Sequence, residues 1–215
     1  MSDLLERIIL SWQQSPDHHI FKHGASDDVI AEFESTVGWE LPSSWRKIYL
    51  FSNGMNLVGG DVSIYPLQGD SLSVAQSSAF LRESGWNIPD PMWTVASNGG
   101  GDPFGVWIPS GRKKPVDEVV AIGAIFEPKC LAIAGSDLTR FLLMRTAYYL
   151  LLGEAPRKAL DTLGIPTELR SVDPNWSDIS EWADPDCKGS SDDPYDARLT
   201  EEQVSRLIGY DHNMK

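Results

Sequence analysis

Cysteine and long apolar runs are both scarce in this chain of 215 residues. Its two cysteines, Cys130 and Cys187, are too few for a disulfide framework or a four-cysteine zinc site. The most apolar run, residues 138–152, is interrupted by Arg140 and Arg145 and is shorter than the ~20 residues that a membrane-spanning helix needs. The first residues lack the basic region, apolar run and cleavage site of a secretion signal. The sequence therefore predicts a cytoplasmic protein that does not enter a membrane.

Positive charge is also in short supply. The chain has 18 lysines and arginines against 31 aspartates and glutamates, and its formal net charge is −13. Proteins that bind nucleic acids need a basic face to displace counterions from the phosphates, so this balance argues against a nucleic-acid partner. An acidic protein is suited to a basic partner, because complementary electric fields raise the rate of association. We therefore expect the partner to be a basic protein.

Recognisable catalytic motifs are missing from the sequence. It has no nucleophile elbow, no HExxH zinc motif and no paired-cysteine pattern. Its glycine-rich stretch, residues 98–102, leads through Pro103 into a strand, whereas a phosphate-binding loop needs Gly-Lys-Ser/Thr at the start of a helix. We predict a turn between two strands there. The enzymatic alternative is an acidic hydrolase that uses Asp102 with a distant histidine. We predict instead a protein that is not an enzyme and has no cofactor.

Three histidines lie close together, at His18, His19 and His23. Imidazole is the commonest metal ligand in proteins. Adjacent histidines on an irregular segment do not converge as two on one helix face would, however, and no carboxylate-rich motif lies nearby. Asp102 is likewise a single carboxylate. We therefore predict solvent-exposed loop histidines and no metal site.

The first third of the chain has the clearest helical pattern. Ser26 is suited to cap a helix, because its hydroxyl accepts hydrogen bonds from amides that the first turn leaves unpaired, and Gly38 ends that helix. A second helix is predicted from Pro42 to the turn at Asn53-Gly54, followed by a strand at residues 62–67. The apolar side chains that recur at three- and four-residue steps are Val29, Ile30, Phe33 and Val37 in the first helix and Trp45, Ile48 and Tyr49 in the second.

Further elements are predicted before and after this region. Helical spacing indicates a short helix at residues 4–12 and another at residues 71–84. The predicted apolar side of the latter consists of Leu72, Ala75, Ala79 and Phe80. From residue 92 the pattern changes to one typical of a sheet. The four candidate strands are Met92–Ala96, Phe104–Ile108, Val119–Ile125 and Lys129–Ala134. The longest helix is predicted at residues 136–152.

The order and spacing of these elements resemble the SUKH superfamily and, more narrowly, the Smi–Knr family within it. The shared pattern is an amphipathic helix leading into G-x-x-L-P, a short helix, and N-G before a strand that ends in I-x-P-L; the resemblance extends over residues 26–152. The motif residues that we expect to be structural are Gly38, Leu41, Pro42, Asn53, Gly54 and Pro66. The resemblance implies an α+β fold whose central, twisted, mostly antiparallel sheet has about four to six strands flanked by helices. We place this domain at residues 1–166.

The same resemblance carries a functional expectation. Bacterial proteins that look like this family are often immunity proteins, which neutralise a cognate toxin, frequently a nuclease, by tight stoichiometric binding. The acidic composition fits such a role independently, because a nuclease needs a basic cleft for its substrate. We therefore expect a monomeric inhibitor of a basic toxin. The alternative, implied by the fungal relatives, is a regulatory scaffold.

The composition changes after residue 166. In residues 167–215, which we interpret as an acidic extension, acidic side chains outnumber basic ones by more than two to one. Such segments are normally solvated, but here aromatic side chains lie among the carboxylates, and aromatics dominate interface hot spots. The predicted partner-binding residues are Trp176, Glu181, Trp182, Asp184, Asp186, Asp192, Asp193 and Tyr195, together with Asp102. A capping box at residues 200–203 predicts a short final helix.

Overall fold

The computed structural model describes the chain in separate ranges. They are residues 4–13, 17, 19–60, 62–69, 72–86, 88, 90–108, 120–123, 130–135, 138–139, 141–142 and 198–200. Most of the helix predicted at residues 136–152, the predicted final helix and nearly all of the acidic extension lie outside these ranges. Leu138, Phe141 and Leu142, which open the predicted long helix, are helical and buried.

Besides the residues that open the predicted long helix, the described part of the chain has the α-helices α1 Leu4–Gln13, α2 Asp27–Val37, α3 Ser43–Phe51 and α4 Val74–Glu83 and a short 3-10 helix at Val58–Gly60. Helix α2 begins and ends where the sequence predicts. The Ser26 hydroxyl accepts a hydrogen bond from the Val29 amide at 3.3 Å, and Gly38 adopts a φ of +79°. Helix α3 follows Pro42 and ends just before the turn at Asn53-Gly54, as predicted.

The strands form one antiparallel sheet in which each strand pairs with the next one along the chain. They are β1 Ile20–Phe21, β2 Met55–Leu57, β3 Val62–Ile64, β4 Met92–Asn98, β5 Pro103–Trp107, β6 Val120–Gly123, β7 Cys130–Gly135 and β8 Arg198–Thr200. The predicted α+β fold with an antiparallel sheet is confirmed. Among the described residues the sheet has eight strands, two more than the upper end of the predicted number, and β1, β2, β3 and β8 have only two or three residues each. Strand β8 lies within the predicted extension and pairs with β7.

The buried side chains form one continuous core that joins the helices to the sheet. Its largest fully buried members include Trp12 of α1, Trp45 of α3 and Trp107 of β5. The Phe104 and Phe141 rings meet edge to face with 4.8 Å between their centroids, which connects β5 to the start of the predicted long helix. Large aromatic side chains bury more apolar surface than any others, so these contacts dominate the packing.

The orientation of helix α4 differs from the one that the sequence predicts. The predicted inner side, which consisted of Leu72, Ala75, Ala79 and Phe80, is the outer side: Leu72 is 43% exposed and Phe80 is 56% exposed. The buried side consists of Val74, Ser77, Ser78 and Leu81. The helix is capped by Ser73, which forms a capping box with Gln76. The helix lies where the sequence predicts it, but the predicted orientation was wrong.

The backbone of Thr94 explains why α4 buries two serines. The register of β4 with β5 shifts at this point, between Thr94 and Ala96. Helix α4 supplies hydrogen-bond partners for Thr94: Ser77 donates its hydroxyl to the Thr94 carbonyl at 3.2 Å, and Ser78 accepts from the Thr94 amide at 2.9 Å. The serine side of α4 therefore faces the sheet.

Candidate functional site

The predicted structural residues Asn53, Gly54 and Pro66 lie together where α3 and β3 end. The Asn53 Oδ1 atom accepts a hydrogen bond from the Leu67 amide at 2.8 Å, and its Nδ2 atom donates to the Gln68 carbonyl at 3.2 Å. Gly54 has a φ of +93°, and a Cβ atom there would lie 3.1 Å from the Pro66 nitrogen. The N-G turn and the I-x-P-L segment are therefore two halves of one structural contact.

Leu41 and Pro42 belong to a second structural group, between α2 and α3. Both residues are buried. The Glu34 carboxylate accepts a hydrogen bond from the Leu41 amide at 2.9 Å and lies 3.5 Å from the Arg46 guanidinium. Arg46 also pairs with Asp27 at 2.8 Å. The Glu34 carboxylate is thus bonded within the fold, and its contacts with Leu41 and Arg46 connect α2 to α3.

Tyr49 is buried at the centre of this region. Its hydroxyl donates a hydrogen bond to the Tyr65 carbonyl at 3.0 Å, so α3 is connected to the chain just after β3. Burial raises the pKa of Tyr49 well above its ordinary value, because the interior disfavours the phenolate. Tyr49 is therefore an uncharged side chain with a structural role.

Asp102, the one predicted partner-binding residue that is described, lies in the turn between β4 and β5. Its carboxylate accepts a hydrogen bond from the Asn98 side-chain amide at 2.6 Å, and its backbone amide donates to Asn98 Oδ1 at 2.7 Å. Asn98 and Asp102 thus close the glycine-rich loop with a reciprocal pair of bonds. The prediction of a turn between strands is confirmed, and the carboxylate of Asp102 is partly used by that turn.

The other predicted partner-binding residues lie outside the described residues. They are Trp176, Glu181, Trp182, Asp184, Asp186, Asp192, Asp193 and Tyr195. The structure therefore brings none of them into a described site, and their role stays a prediction.

The predicted exposure of the histidines is right for one described side chain and wrong for another. His23 is exposed, as predicted, but His19 is buried. The His19 ring stacks on Phe21 with 6.0 Å between centroids and lies 6.1 Å from the Trp12 ring. The prediction of an exposed loop side chain was wrong for His19, because α1 places Trp12 over the start of β1. Among the described residues, no group of three or more histidine, cysteine or acidic side chains is placed to hold a metal ion.

A cleft of about 310 Å³ lies between the outer surfaces of α2 and α4. Glu32 and Thr36 line it on the α2 side, and Ala75 and Gln76 line it on the α4 side. The loop after β3 contributes Gln68. Both Glu32 and Gln76 are exposed, so the cleft is open to solvent and has a carboxylate at its edge. The cleft could not be predicted from the sequence, because it depends on the orientation of α4.

The chain matches the model of the SMI1 / KNR4 family (SUKH-1) over residues 24–144, which is more than half of its length. The chain belongs to this family. SUKH-1 is a family of immunity proteins that are generally non-catalytic and typically bind toxins. A comparison with curated proteins finds no significant match.

The SUKH-1 match includes α2 and α4, the cleft between them and the turn that contains Asp102. It does not include α1 or residues 167–215. The family match therefore carries no statement about the acidic extension. In the part of the chain that the structure describes, no helix is long and apolar enough to cross a membrane.

Proposed function

We propose that this chain is an immunity-type protein that binds a basic toxin domain of the nuclease type in a one-to-one complex and thereby neutralises it in the cytoplasm. Membership of the SUKH-1 family is the observation on which the proposal depends, because its members typically bind toxins. Inhibition by binding needs no catalytic group. The residues assembled around Asn53 and Glu34 fit such a role, since they are used in holding the fold together.

The charge of the chain supports a basic partner. Its formal net charge is −13. A nuclease must attract phosphates, so its substrate cleft is basic, and an acidic protein is both drawn to that cleft and able to cover it. Association with such a toxin should therefore be fast at low ionic strength and slower as salt screens the charges.

The proposed contacts of the extension are its carboxylates and aromatic side chains. The aromatics are Trp176, Trp182 and Tyr195, and the carboxylates are Glu181, Asp184, Asp186, Asp192 and Asp193. Aromatic anchors supply buried area at an interface, and carboxylates beside them pair with lysine and arginine of the partner. Asp102 contributes one further carboxylate at the β4–β5 turn.

A direct test is protection from candidate toxins, which are the basic nuclease-type domains that the source cell encodes. Cells that express the toxin domain should survive only when this chain is co-expressed, and the purified pair should form a one-to-one complex by isothermal titration calorimetry. Survival of the cells together with a catalytically inert complex of the two proteins supports the proposal. Failure of the purified proteins to bind at low salt would overturn it.

A matched pair of variants separates specific contacts from net charge. The first variant neutralises Asp184, Asp186, Asp192 and Asp193 to asparagine. The control removes the same number of charges from exposed positions of the domain, with Glu6→Gln, Asp17→Asn, Asp28→Asn and Asp90→Asn. The first variant should bind the toxin at least about tenfold more weakly than the control, since close charge pairs at an interface contribute more than about 1 kcal/mol each. Equal affinities would remove the extension from the proposed interface.

A further inference from the structure

The outward side of α4 and the residue before its cap carry an apolar stripe, which we define as Leu72, Ala75, Ala79 and Phe80. Isolated apolar side chains on a protein surface are ordinary, but here four lie within nine residues: Leu72 just before the Ser73 cap, and the other three on α4 itself. Leu72 is 43% exposed and Phe80 is 56% exposed. The opposite side of the helix is held against β4 by Ser77 and Ser78, so α4 cannot turn its apolar stripe inward without breaking those bonds.

The apolar stripe and the cleft between α2 and α4 form one surface, because Ala75 belongs to both. The cleft has Glu32 on its far side. Glu32 is exposed and has no ion-pair partner among the described residues. A side chain that rests on the apolar stripe therefore has a carboxylate within the adjoining cleft.

The charged side chains that the structure describes at this surface, Glu32 and Glu83, are negative. Glu83 ends α4, one turn beyond Phe80, and is exposed. The one cation of α4, Arg82, points to the sheet: its guanidinium donates to the Met92 carbonyl at 2.7 Å and lies 5.6 Å from the centre of the Trp93 ring. A second copy of this chain would bring Glu32 and Glu83 against identical carboxylates in a two-fold arrangement, which like charges oppose.

We propose that the apolar stripe and the cleft together are the docking surface for a cationic segment of the toxin. This inference rests on the proposed function. Apolar side chains of the segment pack on Leu72 and on Phe80, and a neighbouring lysine or arginine enters the cleft and pairs with Glu32. The apolar contact supplies affinity, and the ion pair selects a basic partner. The surface lies on the SUKH-1 domain, so it can act independently of residues 167–215.

The test measures binding of the toxin domain that the protection experiment identifies, purified and catalytically inactivated. Isothermal titration calorimetry compares the wild-type chain with the double variant Leu72→Gln/Phe80→Gln and with Glu32→Gln. The double variant should bind at least about tenfold more weakly at every salt concentration, because it loses apolar contact. Glu32→Gln should bind several-fold more weakly at low salt, and that difference should shrink as salt is added.

Matched controls use other exposed side chains. Leu50→Gln changes an apolar residue that is 45% exposed on α3, and Glu6→Gln removes an exposed carboxylate from α1. Unfolding midpoints within a few degrees of wild type show that all variants are folded. If the wild-type chain binds the toxin and the stripe variants bind equally well, the docking surface is overturned while the proposed function stands. If the wild-type chain does not bind the toxin, the proposed function itself fails.

A second measurement tests whether the apolar stripe binds a second copy of this chain instead of a toxin. Sedimentation of the chain alone should give a monomer whose behaviour does not change in Leu72→Gln/Phe80→Gln. A dimer that this double variant dissociates would overturn the proposal, because the apolar stripe would then be an interface between copies of the chain.

Discussion

The side-chain oxygen of Asn53 accepts a hydrogen bond from the backbone amide of Leu67 at 2.8 Å, across fourteen positions of the chain. The same side chain donates to the Gln68 carbonyl at 3.2 Å, and the Asn53 backbone amide donates to the His23 carbonyl at 2.9 Å. Asn53 therefore connects three segments: the loop before α2, the end of α3 and the exit from β3. An asparagine is required there because it offers an acceptor and a donor in one planar group.

We expect Asn53→Ala to lower the free energy of unfolding by about 1–3 kcal/mol, since the Leu67 amide loses its acceptor in a partly buried position. Urea unfolding at pH 7 measures this loss. Asn56→Ala is the matched control, because Asn56 is exposed on β2. A loss at Asn53 no larger than the loss at Asn56 would contradict the structural role given to the motif.

Two features of Gly54, its backbone conformation and its close contact with Pro66, disfavour alanine there. Its φ of +93° disfavours any L side chain, and a Cβ atom would lie 3.1 Å from the Pro66 nitrogen. Gly59→Ala is the control, since Gly59 has a φ of +69° and a Cβ atom added there would meet nothing within 4 Å. We expect Gly54→Ala to destabilise the chain by about 1–3 kcal/mol more than Gly59→Ala does in urea unfolding. Equal losses would mean that backbone strain alone matters at both sites.

The parts of the fold that could be predicted from the sequence are those with local causes. Ser26 and Gly38 mark the ends of α2 because a capping hydroxyl and a left-handed glycine act within one helical turn. Strands β1 and β2 were not predicted, because two or three residues are too few to show alternation. Their pairing depends on neighbours that are distant in the sequence.

The orientation of α4 could not be read from its own residues. Its two sides are similarly apolar when Leu72 and Phe80 are compared with Val74 and Leu81, so hydrophobic spacing alone does not choose between them. The choice is made by Thr94, whose buried carbonyl and amide bond to the Ser77 and Ser78 hydroxyls of the helix. The same tertiary effect made the cleft and the apolar stripe impossible to predict from the sequence.

The Ser78 hydroxyl is expected to be essential for this arrangement. It accepts from the Thr94 amide at 2.9 Å and donates to the Val74 carbonyl at 2.9 Å, and it is fully buried. Ser78→Ala should lower the free energy of unfolding by about 1–3 kcal/mol, because the Thr94 amide is left buried without an acceptor. Ser35→Ala, at an exposed position of α2, should change it by less than about 0.5 kcal/mol. Similar values for the two variants would contradict the buried orientation of Ser78.

Two neighbouring residues of α4 test its orientation more directly. Leu81 is 7% exposed, whereas Phe80 is 56% exposed. Leu81→Gln should destabilise the chain by about 2–5 kcal/mol, because it removes core packing and buries an amide. Phe80→Gln should stay within about 0.5 kcal/mol of wild type. The opposite ranking in urea unfolding would restore the orientation expected from the sequence and remove the apolar stripe from the surface.

The burial of Tyr49 predicts a specific loss of stability in alkali. Because burial raises the pKa of Tyr49 in the folded state, the folded chain keeps its phenolic proton at a pH where the unfolded chain loses it. This contribution is fully present below about pH 10, the ordinary pKa of tyrosine, and is lost above it by about 1.4 kcal/mol per pH unit. Tyr49→Phe lacks this titration but also lacks the bond to the Tyr65 carbonyl, which should cost about 1 kcal/mol at pH 7. Urea unfolding should therefore show wild type as the more stable protein at pH 7 and the difference disappearing between about pH 10 and 11, whereas parallel declines of the two proteins would contradict the burial of this hydroxyl.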